Sequence, residues 1–137
     1  MSLVLDSSIT LAWLFPDELT PAVTSVLDRV GKSGGWAPSL WWLEVANSLQ
    51  MGVRRKRITA GFRDATLEDL KLLPIRLDPE TAQHAWSSTL QLAVAHKLSV
   101  YDAAYLELAR RLVLPLATLD EELRAAAKRM GITLLGK

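Results

Sequence analysis

Three acidic residues stand at positions where their carboxylates could come together for chemistry. Asp6 directly follows the apolar run 3–5, and Asp120 follows a second apolar run that ends at Thr118. If both runs are strands of a parallel sheet, their carboxyl ends meet at one edge, where open α/β sheets place their functional crevice. Asp102 adds a carboxylate at the corner where a further helix is predicted to begin. Such oxygen ligands suit a hard divalent cation, Mg²⁺ or Mn²⁺.

Glu44 is a fourth candidate, and its apolar surroundings make it unusual. Its neighbours in the predicted helix are Leu40, Trp41, Trp42, Leu43, Val45 and Ala46. An ionised glutamate needs a partner here, because an unpaired buried charge costs several kcal/mol. No basic residue lies within one helical turn of Glu44. A bound cation, a raised pKa or a side chain that reaches the surface could each satisfy the carboxylate.

Helix capping is the structural alternative for the other three acids. Asp6 could be only the N-cap of the first helix. The segment 99–102 resembles a capping box with Asp in place of Glu. The segment 118–121 matches the box, which would leave Asp120 as an acid in the first helical turn. Capping does not explain Glu44, so the four acids taken together favour a shared site.

The elements that must position these acids alternate between short apolar strands and longer helices. Strands are predicted at 3–5, 36–37, 72–77, 114–118 and 132–135, the third at a sheet edge because Pro74 interrupts it. Helices are predicted at 9–15, 21–30, 40–55, 59–71, 78–95, 102–112 and 121–130, with Ser39 capping the third. This alternation predicts an α/β fold of three layers, α/β/α, with a short, mainly parallel central sheet.

Composition sets limits on the class of protein. A chain of 137 residues, 50% of them hydrophobic, is expected to form one domain over residues 1–137. No apolar run approaches the roughly 20 residues that span a bilayer, and the N-terminus lacks the features of a secretory signal. The lack of cysteine fits a reducing compartment, so a cytoplasmic protein without membrane contact is expected.

Net charge gives no strong attraction for a polyanion, because the formal value is only +1. Local basic patches therefore matter more than the total. The densest is Arg54–Arg57. It could guide a phosphate backbone, or it could be a solvated helix end that the helix dipole favours.

Four segments carry a resemblance to a known family. They are Leu3–Ser8, Ala37–Asn47, Leu98–Ala109 and Leu114–Leu123. In this order and spacing the chain resembles a PIN domain of the VapC-type toxin ribonucleases, the toxins of VapBC toxin-antitoxin pairs. The resemblance covers nearly the whole chain, although between residues 54 and 97 only length and helical pattern agree.

The resemblance implies a Mg²⁺- or Mn²⁺-dependent endoribonuclease that cuts single-stranded RNA and leaves 5′-phosphate and 3′-hydroxyl ends. It implies Asp6, Glu44, Asp102 and Asp120 as the acidic metal-site residues, with Thr118 as the hydroxyl companion of the last. A water made more acidic by the metal could then attack phosphorus in line. The resemblance also implies a homodimer and a cognate antitoxin that blocks the site.

Other readings of the sequence remain open. Asp6–Thr10 approximates the DxDxT motif of haloacid-dehalogenase phosphatases, but Ser8 stands where that motif needs its second acid. A receiver domain would need an acidic pair after the first strand, which is missing. A PIN fold that binds RNA or a protein without cleavage is the alternative from another class. Four aromatic residues are expected in the core, or else in a partner groove: Trp13, Phe15, Trp41 and Trp42.

Overall fold

The computed structural model describes residues 1–137 and contains five short strands and eight α-helices. The strands are β1 (Val4–Leu5), β2 (Gly35–Ala37), β3 (Ile75–Leu77), β4 (Leu116–Ala117) and β5 (Leu134–Leu135). The helices are α1 (Ser7–Ala12), α2 (Pro21–Ser33), α3 (Trp41–Arg54), α4 (Ala60–Leu70), α5 (Thr81–His84), α6 (Leu90–His96), α7 (Val100–Leu112) and α8 (Glu121–Arg129). A π-helical segment, Ala85–Thr89, joins α5 to α6.

The five strands form one sheet in the order β3-β2-β1-β4-β5, and every pair is parallel. From β1 the chain first adds strands on one side, and then crosses to the other side to add β4 and β5. Because crossovers between parallel strands are right-handed, helices α1–α4 cover one face and α5–α8 cover the other. The predicted three-layer α/β fold is confirmed. The strand order reverses between β1 and β4, which is the switch point where such folds place their sites.

The core is built from the strands and the apolar faces of the helices. Leu3–Leu5 are fully buried, as are the two residues of β4. Both faces of the sheet are covered, which explains why these strands are continuous apolar runs rather than alternating ones. On α7, residues 103–109 are all buried. This helix packs on both β1 and β4, so it lies directly beneath the switch point.

A buried ionic network joins the end of β3 to α7. The guanidinium of Arg111 donates to Asp78 Oδ2 at 2.5 Å and to Glu107 Oε1 at 2.7 Å. Burial would raise the pKa of Asp78, but hydrogen bonds led by Arg111 outweigh it and lower that pKa. Both carboxylates are buried, so the network fixes the edge strand against the central helix.

Several boundaries differ from the predicted ones. The first helix begins at Ser7 and ends at Ala12, because its first turn starts directly after β1. Ser39 does not cap α3: the N-cap residue is Leu40, and the backbone N–H of Ser39 donates to Thr81 Oγ1 at 3.0 Å. The predicted helix 78–95 is divided by the π-helical segment. The predicted edge position of the third strand is confirmed.

None of the helices is both long and apolar enough to cross a membrane.

Candidate active site

Asp6 and Thr118 meet at the carboxyl edge of the sheet because their strands are in register. Leu5 pairs with Ala117, so the next residue of each strand is also adjacent. The hydroxyl of Thr118 donates to Asp6 Oδ2 at 2.7 Å, and the backbone N–H of Asp6 donates to the Ala117 carbonyl at 3.0 Å. Both side chains are buried. The strand pairing therefore fixes the position and orientation of the Asp6 carboxylate.

Ser8 supports the same carboxylate from α1. Its hydroxyl donates to Asp6 Oδ2 at 2.7 Å and accepts from the backbone N–H of Leu119 at 2.9 Å. Asp6 occupies the N-cap position of α1, but its side chain makes no capping hydrogen bond. The capping alternative for Asp6 is therefore wrong. Its carboxylate accepts instead from the side-chain hydroxyls of Ser8 and Thr118.

Glu44 reaches the sheet edge from the first turns of α3. It accepts a hydrogen bond from the hydroxyl of Tyr105 at Oε1, across 2.5 Å. Tyr105 is fully buried on α7, so this bond joins helices from opposite faces of the sheet. Glu44 itself is half-buried. It has a hydrogen-bond partner but no cationic one.

Asp102 and Asp120 both lie at helix N-termini. Ser99 caps α7 by accepting from the backbone N–H of Asp102 at 3.1 Å. Asp120 is itself the N-cap of α8 and accepts from the backbone N–H of Leu123 at 2.8 Å. The predicted capping box is therefore wrong: the N-cap of α8 is Asp120, two residues after the predicted N-cap Thr118. Thr118 instead accepts from the backbone N–H of Asp120 at 3.1 Å.

The four carboxylates are close enough to repel one another. Burial raises the pKa of Asp6, and the charge of Asp120 adds to the rise. Burial also raises the pKa of Glu44, to which Asp6 and Asp102 contribute. The pKa of Asp102 is raised by burial and then by Asp120 and Asp6. These mutual effects place all four acids in one cluster, hereafter the acidic cluster.

No lysine, arginine or histidine forms an ion pair with any member of the acidic cluster. The hydrogen bonds engage Oδ2 of Asp6, Oε1 of Glu44 and Oδ1 of Asp120. A carboxylate has lone pairs on both oxygens, so these bonds leave capacity for a cation. As the side chains stand, no three of them surround one point that could hold a metal ion. The donors are all carboxylate oxygens, the ligand type that Mg²⁺ and Mn²⁺ prefer, and waters would have to complete the coordination of such an ion.

The aromatic residues divide between the two predicted environments. Trp41 is buried, and its indole N–H donates to Thr10 Oγ1 at 3.2 Å. Trp13 is partly buried and donates to the Val23 carbonyl at 3.1 Å. Trp42 is 49% exposed. It lines an apolar groove of about 310 Å³ between α3 and α4. The expected core position is therefore confirmed for Trp41 and wrong for Trp42, and a partner in the groove stays a prediction.

Sequence reasoning gave no role to Ser8 or Tyr105. Their partners are distant: Leu119 lies 111 residues from Ser8, and Glu44 lies 61 residues from Tyr105. One signal was available for Tyr105, because it follows Asp102 by three residues and so shares a helix face with it. For Ser8 the signal was its position two residues after the strand-end aspartate.

The parallel sheet and the acidic cluster at its switch point agree with the PIN-domain resemblance of the sequence. The PIN domain family model matches residues 3–129, and the chain is a member of that family. Ribonuclease VapC3 of Mycobacterium tuberculosis is 32% identical over 105 residues, covering 75% of this chain and 72% of the relative. Ribonuclease VapC3 of Pyrobaculum aerophilum is 31% identical over 127 residues, covering 90% of this chain and 92% of the relative. The predicted VapC-type relationship is confirmed.

Solved structures agree on the fold. PAE2754 from Pyrobaculum aerophilum superimposes with a TM-score of 0.71 at 23% identity, covering 98% of this chain and 83% of that one. FitAcB from Neisseria gonorrhoeae superimposes with a TM-score of 0.66 at 17% identity, covering 98% of this chain and 96% of that one. At such low identity these matches bear on the fold alone.

Proposed function

We propose that this protein is a Mg²⁺- or Mn²⁺-dependent endoribonuclease that hydrolyses phosphodiester bonds of single-stranded RNA. The observation that carries the proposal is the acidic cluster, whose carboxylates repel one another and have no cationic side chain as partner. The VapC relatives are named ribonucleases, which supports RNA as the substrate.

In this proposal Asp6, Glu44 and Asp102 hold the cation, directly or through water, and Asp120 completes the set or orients the attacking water. When bound, a divalent ion makes water a better nucleophile and offsets the negative charge that grows on the leaving oxygen. Thr118 holds the Asp6 carboxylate in place through the 2.7 Å hydrogen bond. The products are a 5′-phosphate and a 3′-hydroxyl.

A cleavage assay on single-stranded RNA tests this function. The wild-type protein is incubated with Mg²⁺, with Mn²⁺ and with a chelator, in parallel with Asp6→Asn. We expect cleavage only with metal, and a loss of at least about 100-fold in Asp6→Asn, because a metal-site carboxylate is removed. RNA that is bound but never cut would identify the chain as a PIN fold that only binds.

The proposed biological role is that of the toxin in a toxin-antitoxin pair, acting on RNA in the cytoplasm and blocked by a cognate antitoxin. The groove between α3 and α4 is a suitable surface for a protein partner. Trp42 and Leu67 give it an apolar floor, and its rim is mixed in charge, because Asp64 pairs with Arg63 and Glu68 pairs with Lys71. The apolar face of an amphipathic helix would match the floor. Trp42→Ser should therefore lower the affinity for the antitoxin, measured by titrating the protein with it.

A homodimer is also proposed. Trp86, Leu90 and Val94 follow one another at intervals of four residues and are 93%, 44% and 73% exposed. Exposed apolar stripes of this kind are typical of protein interfaces, and a stripe on one helix can pair with its own copy about a two-fold axis. Light scattering should give the mass of a dimer for the wild type and of a monomer for Trp86→Ser.

A further inference from the structure

A polar trough of about 280 Å³ lies between the end of α1 and the second half of α3. We call it the α1–α3 trough and define it by Phe15, Asn47, Ser48, Arg55 and Arg57, which line it. Glu18 also lines it. Two cations against one anion leave the trough with a net positive charge.

The trough continues the face of α3 that carries Glu44. Asn47, Ser48 and Arg55 follow Glu44 by three, four and eleven residues, spacings that lie on one side of a helix. With a rise of 1.5 Å per residue, Arg55 lies about 16 Å along the helix from Glu44. An RNA strand lying along this face would therefore run from the acidic cluster to the two arginines.

Arg57 is placed in the trough by the way the chain leaves α3. Lys56 has a left-handed backbone with φ of 61°. The chain folds back there, and the backbone N–H of Arg57 donates to the Gly52 carbonyl at 2.9 Å. The guanidinium carbon of Arg57 then lies 4.5 Å from the ring centroid of Phe15. A solvated helix end does not account for this position, because the side chain turns across to Phe15, in the segment that follows α1.

The chemistry of these groups fits phosphate. Neither Arg55 nor Arg57 forms an ion pair within the chain, and both are exposed. A guanidinium presents a planar fork of donors that matches two phosphate oxygens, and stacking on Phe15 restricts the fork of Arg57. Asn47 and Ser48 add neutral polar groups between the arginines and the acidic cluster.

We propose that the α1–α3 trough binds the phosphate backbone of the RNA strand to one side of the bond that is cut, with Arg55 and Arg57 each neutralising a phosphate. The proposal rests on the proposed ribonuclease function, since RNA is the ligand of both. An acidic peptide could use the same arginines. RNA is favoured because the trough shares its helix face with the acidic cluster.

Binding of a labelled single-stranded RNA, measured by fluorescence anisotropy over a series of salt concentrations, tests the trough. All proteins carry Asp6→Asn, so that the RNA survives. Each phosphate contact contributes about 0.7 to the slope of log K against log salt for single strands, so Arg55→Ser with Arg57→Ser should lower the slope by about 1.4. Arg55→Lys with Arg57→Lys should keep the slope, because both charges remain. Arg110→Ser with Lys128→Ser removes two exposed charges elsewhere and should also leave it unchanged.

Two results would overturn the proposal. One is an unchanged slope in the Arg55→Ser, Arg57→Ser protein, with circular dichroism showing the normal fold. The other is arginine-dependent binding of polyglutamate with no arginine-dependent binding of RNA, which would indicate a protein partner. Failure of the proposed function has a different signature: the wild type would not cut RNA, while the arginine-dependent slope would remain.

Discussion

The hydroxyl of Tyr105 on α7 donates to Oε1 of Glu44 on α3 across 2.5 Å, joining helices on opposite faces of the sheet. The bond stabilises the charged form of Glu44 and so opposes the rise that burial causes in its pKa. It also holds the carboxylate at the edge of the sheet beside Asp6 and Asp102. Tyr105 is therefore expected to control both the charge and the position of Glu44.

Replacing Tyr105 by phenylalanine should shift the acid limb of the cleavage profile to higher pH. A hydrogen bond to a charged group contributes about 1.5 kcal/mol, which corresponds to roughly one pH unit. The measurement is kcat/KM against pH at saturating Mg²⁺. Tyr101→Phe is the matched control, because Tyr101 is 67% exposed. Identical profiles for the two variants would contradict the role given to Tyr105.

Asp6→Asn should stabilise the metal-free protein increasingly as pH rises. The folded-state pKa of Asp6 is raised above its ordinary value of 3.8. Its contribution to stability is therefore fully present below about pH 4 and is lost as pH rises through the folded-state pKa. The Tm difference between variant and wild type in chelator should grow from pH 4 to pH 8. Asp17→Asn, at an exposed position, should show a difference that does not grow.

Mg²⁺ should raise the Tm of the wild type at neutral pH, and the rise should diminish toward acid pH. Protons and the cation compete for the same carboxylates, so metal binding weakens where Asp6, Glu44 and Asp102 hold protons. The measurement is a thermal melt with and without Mg²⁺ across the same pH range. A rise of equal size in Asp6→Asn would show that the ion binds elsewhere.

Arg111→Met should destabilise the protein strongly. The variant leaves the buried carboxylates of Asp78 and Glu107 without their cation, and breaking a buried pair costs about 3–5 kcal/mol. Urea unfolding gives the free energy. Arg110→Met is the matched control at the neighbouring exposed position and should change stability by less than about 0.5 kcal/mol. Equal free energies of unfolding for the two variants would show that the ionic network of Arg111 does not stabilise the fold.

Substitution of two glycines by alanine should change the stability of the protein in opposite directions. Gly136 has φ of 109°, and a Cβ there would lie 2.7 Å from Ile9 Cδ1. Gly136→Ala should therefore cost about 1–3 kcal/mol. Gly31 lies in α2 with nothing within 4 Å of its Cβ position, so Gly31→Ala should stabilise by about 0.5–1 kcal/mol. The free energy of unfolding in urea measures both.

The sequence allowed the layer architecture to be predicted, because short apolar runs typical of strands alternate with longer helical patterns. It also indicated the acidic cluster, since Asp6 and Asp120 follow strands and Glu44 lies in an apolar helix. Such signals are local. They depend only on the residue types within one or two turns of each acid.

The support of the cluster was not predictable in the same way. Ser8 and Thr118 both donate to Asp6 Oδ2, but the second of these bonds exists only because β1 and β4 pair in register. Asp120 rather than Thr118 caps α8 because the strand ends at Ala117 and Thr118 turns toward Asp6. Contacts between residues more than a hundred positions apart leave no periodic signal in the chain.

The central strand β1 pairs with β4, which lies more than a hundred residues later, and Val4 is in register with Leu116. Closing a loop over such a separation slows folding, because the β1–β4 pairing that joins the two halves of the sheet must wait for it. During synthesis the segment that carries Asp120 leaves the ribosome long after Asp6. A chain whose synthesis has not reached Asp120 therefore holds no assembled acidic cluster, so the proposed cleavage activity is expected only after β4 and the segment that follows it have been added.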